Sequence, residues 1–212
     1  MTFTSVAGLT LHYNVNVDMT SFVHTMFGET ADVAIVIEPD NVEISTDFRE
    51  RMASRPDIDM IFRYAPISLL VDGELLSIIA VQDFSYLAGH SLISGILPSI
   101  PSGVVLDTDT LSRIGKNVSD WVTVRSGDIS YDYIITGVVQ GGNQGMMNLE
   151  GVRRVRPDFA FRTFCVNLTE GTDIEQFIES IRASEDEILI GVLCIQEQLD
   201  SMLTAMGNIL PL

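Results

Sequence analysis

The chain of 212 residues is long enough for one large domain or two small ones, and it needs no disulfide or metal staple to bury a core. Apolar residues make up 46% and charged residues 19%, which excludes a disordered tail or a low-complexity linker. Twelve basic residues against 29 acidic ones give a net charge of −17, which argues against nucleic acid or an anionic membrane surface as partner; one lysine and eleven arginines give no sign of a phosphate-binding protein.

From the N-terminus, Leu9 to Val17 alternates like a strand, whereas Phe22, Val23, Met26 and Phe27 are spaced for a helix, and a helical segment is the favoured reading of residues 1–27. Asp32–Glu38 is a β-branched run suited to a buried strand, punctuated by Pro39-Asp40-Asn41. Ser45 or Thr46 then caps a short helix carrying Phe48 and Met52, which ends before Pro56. Asp59–Tyr64 and Ile67–Val71 follow as extended chain broken at Pro66.

The middle of the chain reads as β-rich. Leu75–Gln82 and Gly103–Asp107 are strands, Thr108–Ile114 is a short helix, and Asp120–Arg125 faces Tyr131–Val139 across the hairpin signal Ser126-Gly127-Asp128. Next comes the strand Phe159–Leu168 with a turn at Thr169-Glu170-Gly171. Thr172 or Asp173 caps a helix whose Ile174, Phe177, Ile178 and Ile181 fall on one face. The strand Ile188–Ile195 is the longest apolar run, far short of the roughly 20 residues that cross a bilayer. Gln198–Leu210 has helical apolar spacing, and the N-terminus lacks the basic and apolar pattern of a signal peptide. Mean hydropathy of +0.28 is high for a soluble protein and points to a piece of something larger.

Each end of the chain therefore reads strand–helix–strand. Two such halves make a split βαβ, or ferredoxin-like, sheet, and the stretch between them is too long for a connecting loop. The expected class is α+β, with a β-rich insertion inside a split βαβ module.

The stretch Gly103-Val-Val-Leu-Asp-Thr-Asp-Thr-Leu-Ser-Arg-Ile-Gly-Lys-Asn-Val-Ser-Asp-Trp-Val-Thr-Val124, followed by Tyr133-Ile-Ile-Thr-Gly-Val-Val139, resembles the extracytoplasmic domain of MacB/FtsX-type ABC transporter permeases. In that family a strand and short helix lead to a glycine-aspartate turn and then a hairpin. Here the turn reads Ile114-Gly115-Lys116-Asn117-Val118-Ser119-Asp120, with Ser119 where the family usually has glycine. The resemblance extends to the order of parts. It implies a porter-like module over 28–74 and 150–196, an inserted Sabre-like module over 75–149, and helical stalks at 1–27 and 197–212 leading to transmembrane helices.

Candidate sites are few. The glycine-rich Gly137–Gly145 lacks the helix and lysine that a phosphate loop needs, and reads as a mobile loop. His12, His24 and His90 are scattered, and the acidic pairs Asp57/Asp59 and Asp107/Asp109 lack the spacing of a calcium loop. No nucleophile elbow or paired Cys–His arrangement appears, so no catalytic, metal or cofactor residue is nominated and no cofactor is expected. In a ferredoxin-like sheet Cys165 and Cys194 fall on strands flanking the first strand, too far apart to bridge, which predicts two reduced, buried thiols. Arg153, Arg154 and Arg156 are the only basic cluster in the sequence, pairing with local carboxylates or meeting a lipid headgroup or partner.

The resemblance implies a non-catalytic domain on the extracytoplasmic side of the cell membrane. Through the full permease it would work with a cytoplasmic ATPase, as a homodimer, coupling ATP hydrolysis to export or to an extracytoplasmic protein. Ile93, Ile96, Leu97 and Ile100 are the candidate partner contacts, with packing between the modules as the alternative. A free-standing soluble ligand-binding module or enzyme is the second reading; it needs convergent polar groups that the sequence does not supply.

Overall fold

Hydrogen bonding divides the β-structure into two sheets, the second built from a continuous stretch of chain inserted within the first. The structure is a computed structural model describing residues 31–38, 41–84, 92–140, 144–197 and 201. The expected stalks lie almost entirely outside these residues, as do His12, His24 and His90. In chain order the elements are β1 (Val33–Ile37), α1 (Val42–Ala53), β2 (Ile58–Phe62), β3 (Tyr64–Val71) and β4 (Glu74–Val81). Then come β5 (Leu92–Gly95), β6 (Gly103–Asp107), α2 (Thr108–Ile114), β7 (Trp121–Ser126) and β8 (Ile129–Val139). The last are β9 (Gln144–Asn148), α3 (Leu149–Val155), β10 (Thr163–Leu168), α4 (Ile174–Ser184) and β11 (Leu189–Cys194).

The first sheet has the order β11-β1-β10-β2 and is antiparallel throughout. One face turns Val33, Ile35, Phe164 and Val166 toward Phe48 of α1 and Phe177 of α4, and the rings of Phe48 and Phe164 meet at 4.8 Å. The cap of α1 is Asn41, whose Oδ1 accepts from the amides of Glu43 at 2.8 Å and Ile44 at 3.3 Å. The expected cap at Ser45 or Thr46 is thus one turn late: Ser45 is buried inside the helix and Thr46 Oγ1 donates to the Val42 carbonyl. Asparagine ranks with the strongest caps, so Asn41 starts the helix as well as ending the turn. At α4, Asp173 accepts from the Gln176 amide at 3.0 Å, and Phe177 and Ile181 are buried as their spacing requires. Arg55 bridges from Asp57 to Ser180 of α4, and its hydrogen bond holds the Asp57 carboxyl below the usual carboxylate range.

The second sheet has the order β5-β8-β6-β9-β4-β3-β7, and β7 also pairs with β8. Six strands therefore close into a ring, from which β5 projects as an edge. Strand β3 pairs along its whole length with β4 across Asp72-Gly73, whose φ angles of 47° and 89° make a primed hairpin turn. Tyr64–Val71 consequently belongs to the second sheet, whereas the sequence reading had carried the first module to residue 74. The ring encloses Leu69, Leu76, Ile78, Leu106 and Tyr133, and Val152 and Val155 of α3 join the same core. The Tyr133 hydroxyl is satisfied by the Gly151 carbonyl at 2.7 Å.

Strand β9 runs parallel to β4 and antiparallel to β6, in the middle of the sheet. The glycine-rich stretch is therefore framed by strand at both ends, while residues 141–143 lie outside the described part. A Cβ on Gly145 would stand 2.6 Å from the Val105 carbonyl oxygen, so close packing rather than mobility demands glycine there. A third core joins the sheets, with Ile79, Val105 and Met146 from the ring against Phe62 and Cys165 from the first sheet.

Candidate functional site

The chain crosses from the first sheet to the second at one residue, Arg63, between β2 and β3, and returns through residues 156–162. Arg63 is 6% exposed. Its Nε donates to Gln82 Oε1 at 2.8 Å and Nη1 to Ser45 Oγ at 3.2 Å, while its guanidinium lies 5.0 Å from the Phe161 ring centre and 5.6 Å from that of Phe164. One side chain thus touches α1, the end of β4, the return segment and β10. Burial first, then the charges of Arg49 and Arg153, push Arg63 down to about 10. The sequence reading did not single out this residue; its only signal was an arginine inside the apolar run Met60–Tyr64.

The two ends of the first sheet's described chain lie side by side. The Ile195 amide donates to the Asp32 carbonyl at 3.0 Å, and the Asp32 carboxylate accepts from the Leu168 amide at 2.8 Å. Strands β1 and β11, which lead to these ends, are direct neighbours.

The nominated apolar contacts divide in two. Ile93, Ile96 and Ile100 are 52%, 63% and 46% exposed, while Leu97 is half-buried against the core between the sheets. They belong to edge strand β5 and the segment after it. Gly137 on β8 permits this approach, because a Cβ there would stand 2.8 Å from the Ile96 carbonyl oxygen. Leu97 and Pro98 also line an open cleft of about 540 Å³ with Phe84, Gln82, Asn148 and Glu150.

The remaining candidates separate in space. Arg153 Nε donates to the Phe159 carbonyl, Arg154 lies 4.8 Å from the Tyr131 ring centre and 5.2 Å from that of Tyr133, and Arg156 approaches Asp158 at 3.5 Å. Among the described residues only one of the three therefore meets a carboxylate. Cys165 and Cys194 are buried and form no disulfide. Cys165 pairs with Ala34 and Cys194 with Val33, so they point to opposite faces of the sheet. Asp107 is wholly buried as the cap of α2 and also accepts from the Gln144 amide at 3.0 Å, which is structural work. Among the described residues no group of three His, Cys, Asp or Glu side chains could hold a metal ion. Among them, too, no helix is long and apolar enough to cross a membrane.

The fold of the described chain is similar to that of solved periplasmic and extracellular domains of ABC-type transporters. One such structure is the periplasmic region of MacB from Actinobacillus actinomycetemcomitans, at a TM-score of 0.57 and 13% identity over 87% of this chain and 96% of that one. Another is the extracellular domain of the ABC-type transporter YknZ from Gram-positive bacteria, at a TM-score of 0.54 and 10% identity over 73% of this chain and 94% of that one. No protein-family model and no curated protein matches the sequence.

Proposed function

We propose that this chain is the non-catalytic extracytoplasmic domain of an ABC transporter permease of the MacB/FtsX type. In the full permease it couples ATP hydrolysis by a cytoplasmic ATPase to export or to a partner protein outside the membrane. The observation that carries this reading is the likeness to two such domains over nearly their whole length. The hydrogen bond between Asp32 and Ile195 supports it, because a domain looped out between two membrane helices needs its ends together.

In this reading the first sheet with α1 and α4 is a split βαβ, porter-like module, and the ring is the inserted Sabre-like module. The strand order β11-β1-β10-β2 is the order that two strand–helix–strand halves adopt when they interleave. The seams fall at Arg63 and residues 156–162, in place of residues 74 and 150. Movement of the stalks enters at β1 and β11 and crosses the sheet through β10 to β2. Arg63 and the shared core then carry it into the ring as a rigid displacement. Two copies of the domain act together in the permease pair. Ile93, Ile96 and Ile100 form the outward contact surface, and Leu97 supports it from beneath.

The test is Ile96→Cys in the native gene product, treated in intact cells with a membrane-impermeant maleimide. Both native cysteines are buried, so the background is low. Labelling of intact cells is expected; labelling only after lysis would contradict placement outside the membrane.

A further inference from the structure

Among the described residues four arginines meet carboxylates, with Arg51 holding Glu185 at 2.7 Å and Arg55 holding Asp57 at 2.6 Å, and the rest do not. With 29 acidic residues against 12 basic ones, acids are in surplus. At the crossing between the sheets an arginine is buried without such a partner. Among the described residues, no carboxylate comes within ion-pair distance of Arg63, Arg49 or Arg153.

These three groups converge. Ser45, the acceptor of Arg63 Nη1, stands one helical turn before Arg49 on the same face of α1. Arg153 bonds the carbonyl of Phe159, two residues before the ring on which Arg63 lies. Their charges act on Arg63. The hydrogen-bond balance is also one-sided. Arg63 uses the oxygens of both Ser45 and Gln82 as acceptors, which leaves the Ser45 hydroxyl hydrogen and the Gln82 amide hydrogens to donate elsewhere. Among the described residues Arg49 Nε is buried with no hydrogen-bond partner. Stacking on Phe161 and Phe164 accounts for the position of Arg63, but it does nothing for the Arg49 Nε–H. A cluster of donors around buried positive charge, with neutral acceptors but no described carboxylate among them, is the complement of one small oxyanion.

We infer that Arg49, Arg63 and Arg153, with Ser45 and Gln82, form a binding site for a small free carboxylate at the seam between the two sheets. The planar fork of arginine fits the two carboxylate oxygens. Arg63 is too deeply buried for a side chain on another folded surface to reach it, which selects a small acid over a protein partner. Single charge suits the site better than a phosphate dianion, given the net charge of −17. A carboxylate seated there would tie α1, β4 and the return segment together and stiffen the crossing between the sheets. The site stands independently of the transporter reading.

The test is NMR of the arginine Nε–H groups of the 212-residue chain, titrated with sodium acetate at constant ionic strength, chloride making up the balance. The Arg49 and Arg63 signals should move along one saturable curve. Arg49→Gln should weaken acetate at the Arg63 signal about tenfold or more, the loss of one charge-assisted hydrogen bond. Arg182→Gln, on the exposed side of α4, should leave the curve in place. If Arg49→Gln does not fold, Arg49→Lys keeps the charge, removes the Nε–H and should show the same loss. Signals that stay still, that move equally with chloride, or that keep their acetate curve in the Arg49 variants would overturn the site.

Discussion

Replacing Gly145 by alanine sets a methyl group into the middle of the closed ring. The new Cβ would stand 2.6 Å from the Val105 carbonyl oxygen, 2.7 Å from Ile78 Cδ1 and 3.1 Å from Leu106 Cδ2. Ile78 and Leu106 are fully buried, and the carbonyl belongs to the neighbouring strand β6, so relief requires the sheet itself to open. Overpacking of this kind costs about 1–3 kcal/mol, and a backbone clash puts it at the upper end. Alanine returns up to about 1 kcal/mol by restricting the unfolded chain. The net loss is about 2 kcal/mol, a fall of roughly 4–8 °C in melting temperature for a chain of this size. Thermal and urea melts followed by circular dichroism measure it. Gly191→Ala is the control, since nothing lies within 4 Å of a Cβ there, and it should be neutral or slightly stabilising. Equal melts for Gly145→Ala and the parent chain would refute the insertion of β9 between β4 and β6.

Three further outcomes follow from other residues. Ser119 adopts φ 77° while its amide donates to the Ile135 carbonyl at 2.8 Å, so Ser119→Gly keeps the bond and removes left-handed strain. The strain is about 1–2 kcal/mol, partly offset by glycine's entropy, so urea melts should show a gain of about 0.5–1 kcal/mol; a loss would contradict the turn geometry. Tyr133→Phe strands the Gly151 carbonyl in the core and should cost about 1–2 kcal/mol in the same assay, with no change contradicting the buried bond. Burial pushes the Tyr133 phenol from 10.0 up to about 12, so stability present below pH 10 is lost as pH rises through that window. Arg63 opposes it there, because burial makes the folded chain release the proton from about 10 while the unfolded chain holds it to higher pH. Tyrosinate absorbance separates the two: one phenol titrating near pH 12 should vanish in Tyr133→Phe, and its absence from the parent chain would refute the burial.

Elements whose local pattern agrees with their packing were legible. The helix Thr108–Ile114, the hairpin after Trp121 and the cap at Asp173 all rest on short-range signals. What escaped notice depends on long-range pairing. Gln144–Asn148 looks like flexible chain because its glycine and amides carry no β signal; it is a strand because β4 and β6 close on it from both sides. The short helix Leu149–Val155 hid behind its arginines, although Asn148 caps it. Tyr64–Val71 was split from its partner because Pro66 looked like a break, whereas the Asp72-Gly73 turn marks the hairpin plainly. The exposed isoleucines could be nominated from a loop rich in glycine and proline, but their separation from Leu97 is a matter of packing. Arg63 was the least legible, since nothing local says which side chains will surround a single arginine between two strands.

The most direct test of the central claim is fractionation of cells that carry the native gene, with the product detected by an antibody against this chain. The transporter reading predicts a membrane-bound band well above 23.3 kDa, in which these residues form a domain between membrane helices. A soluble band at 23.3 kDa would contradict it.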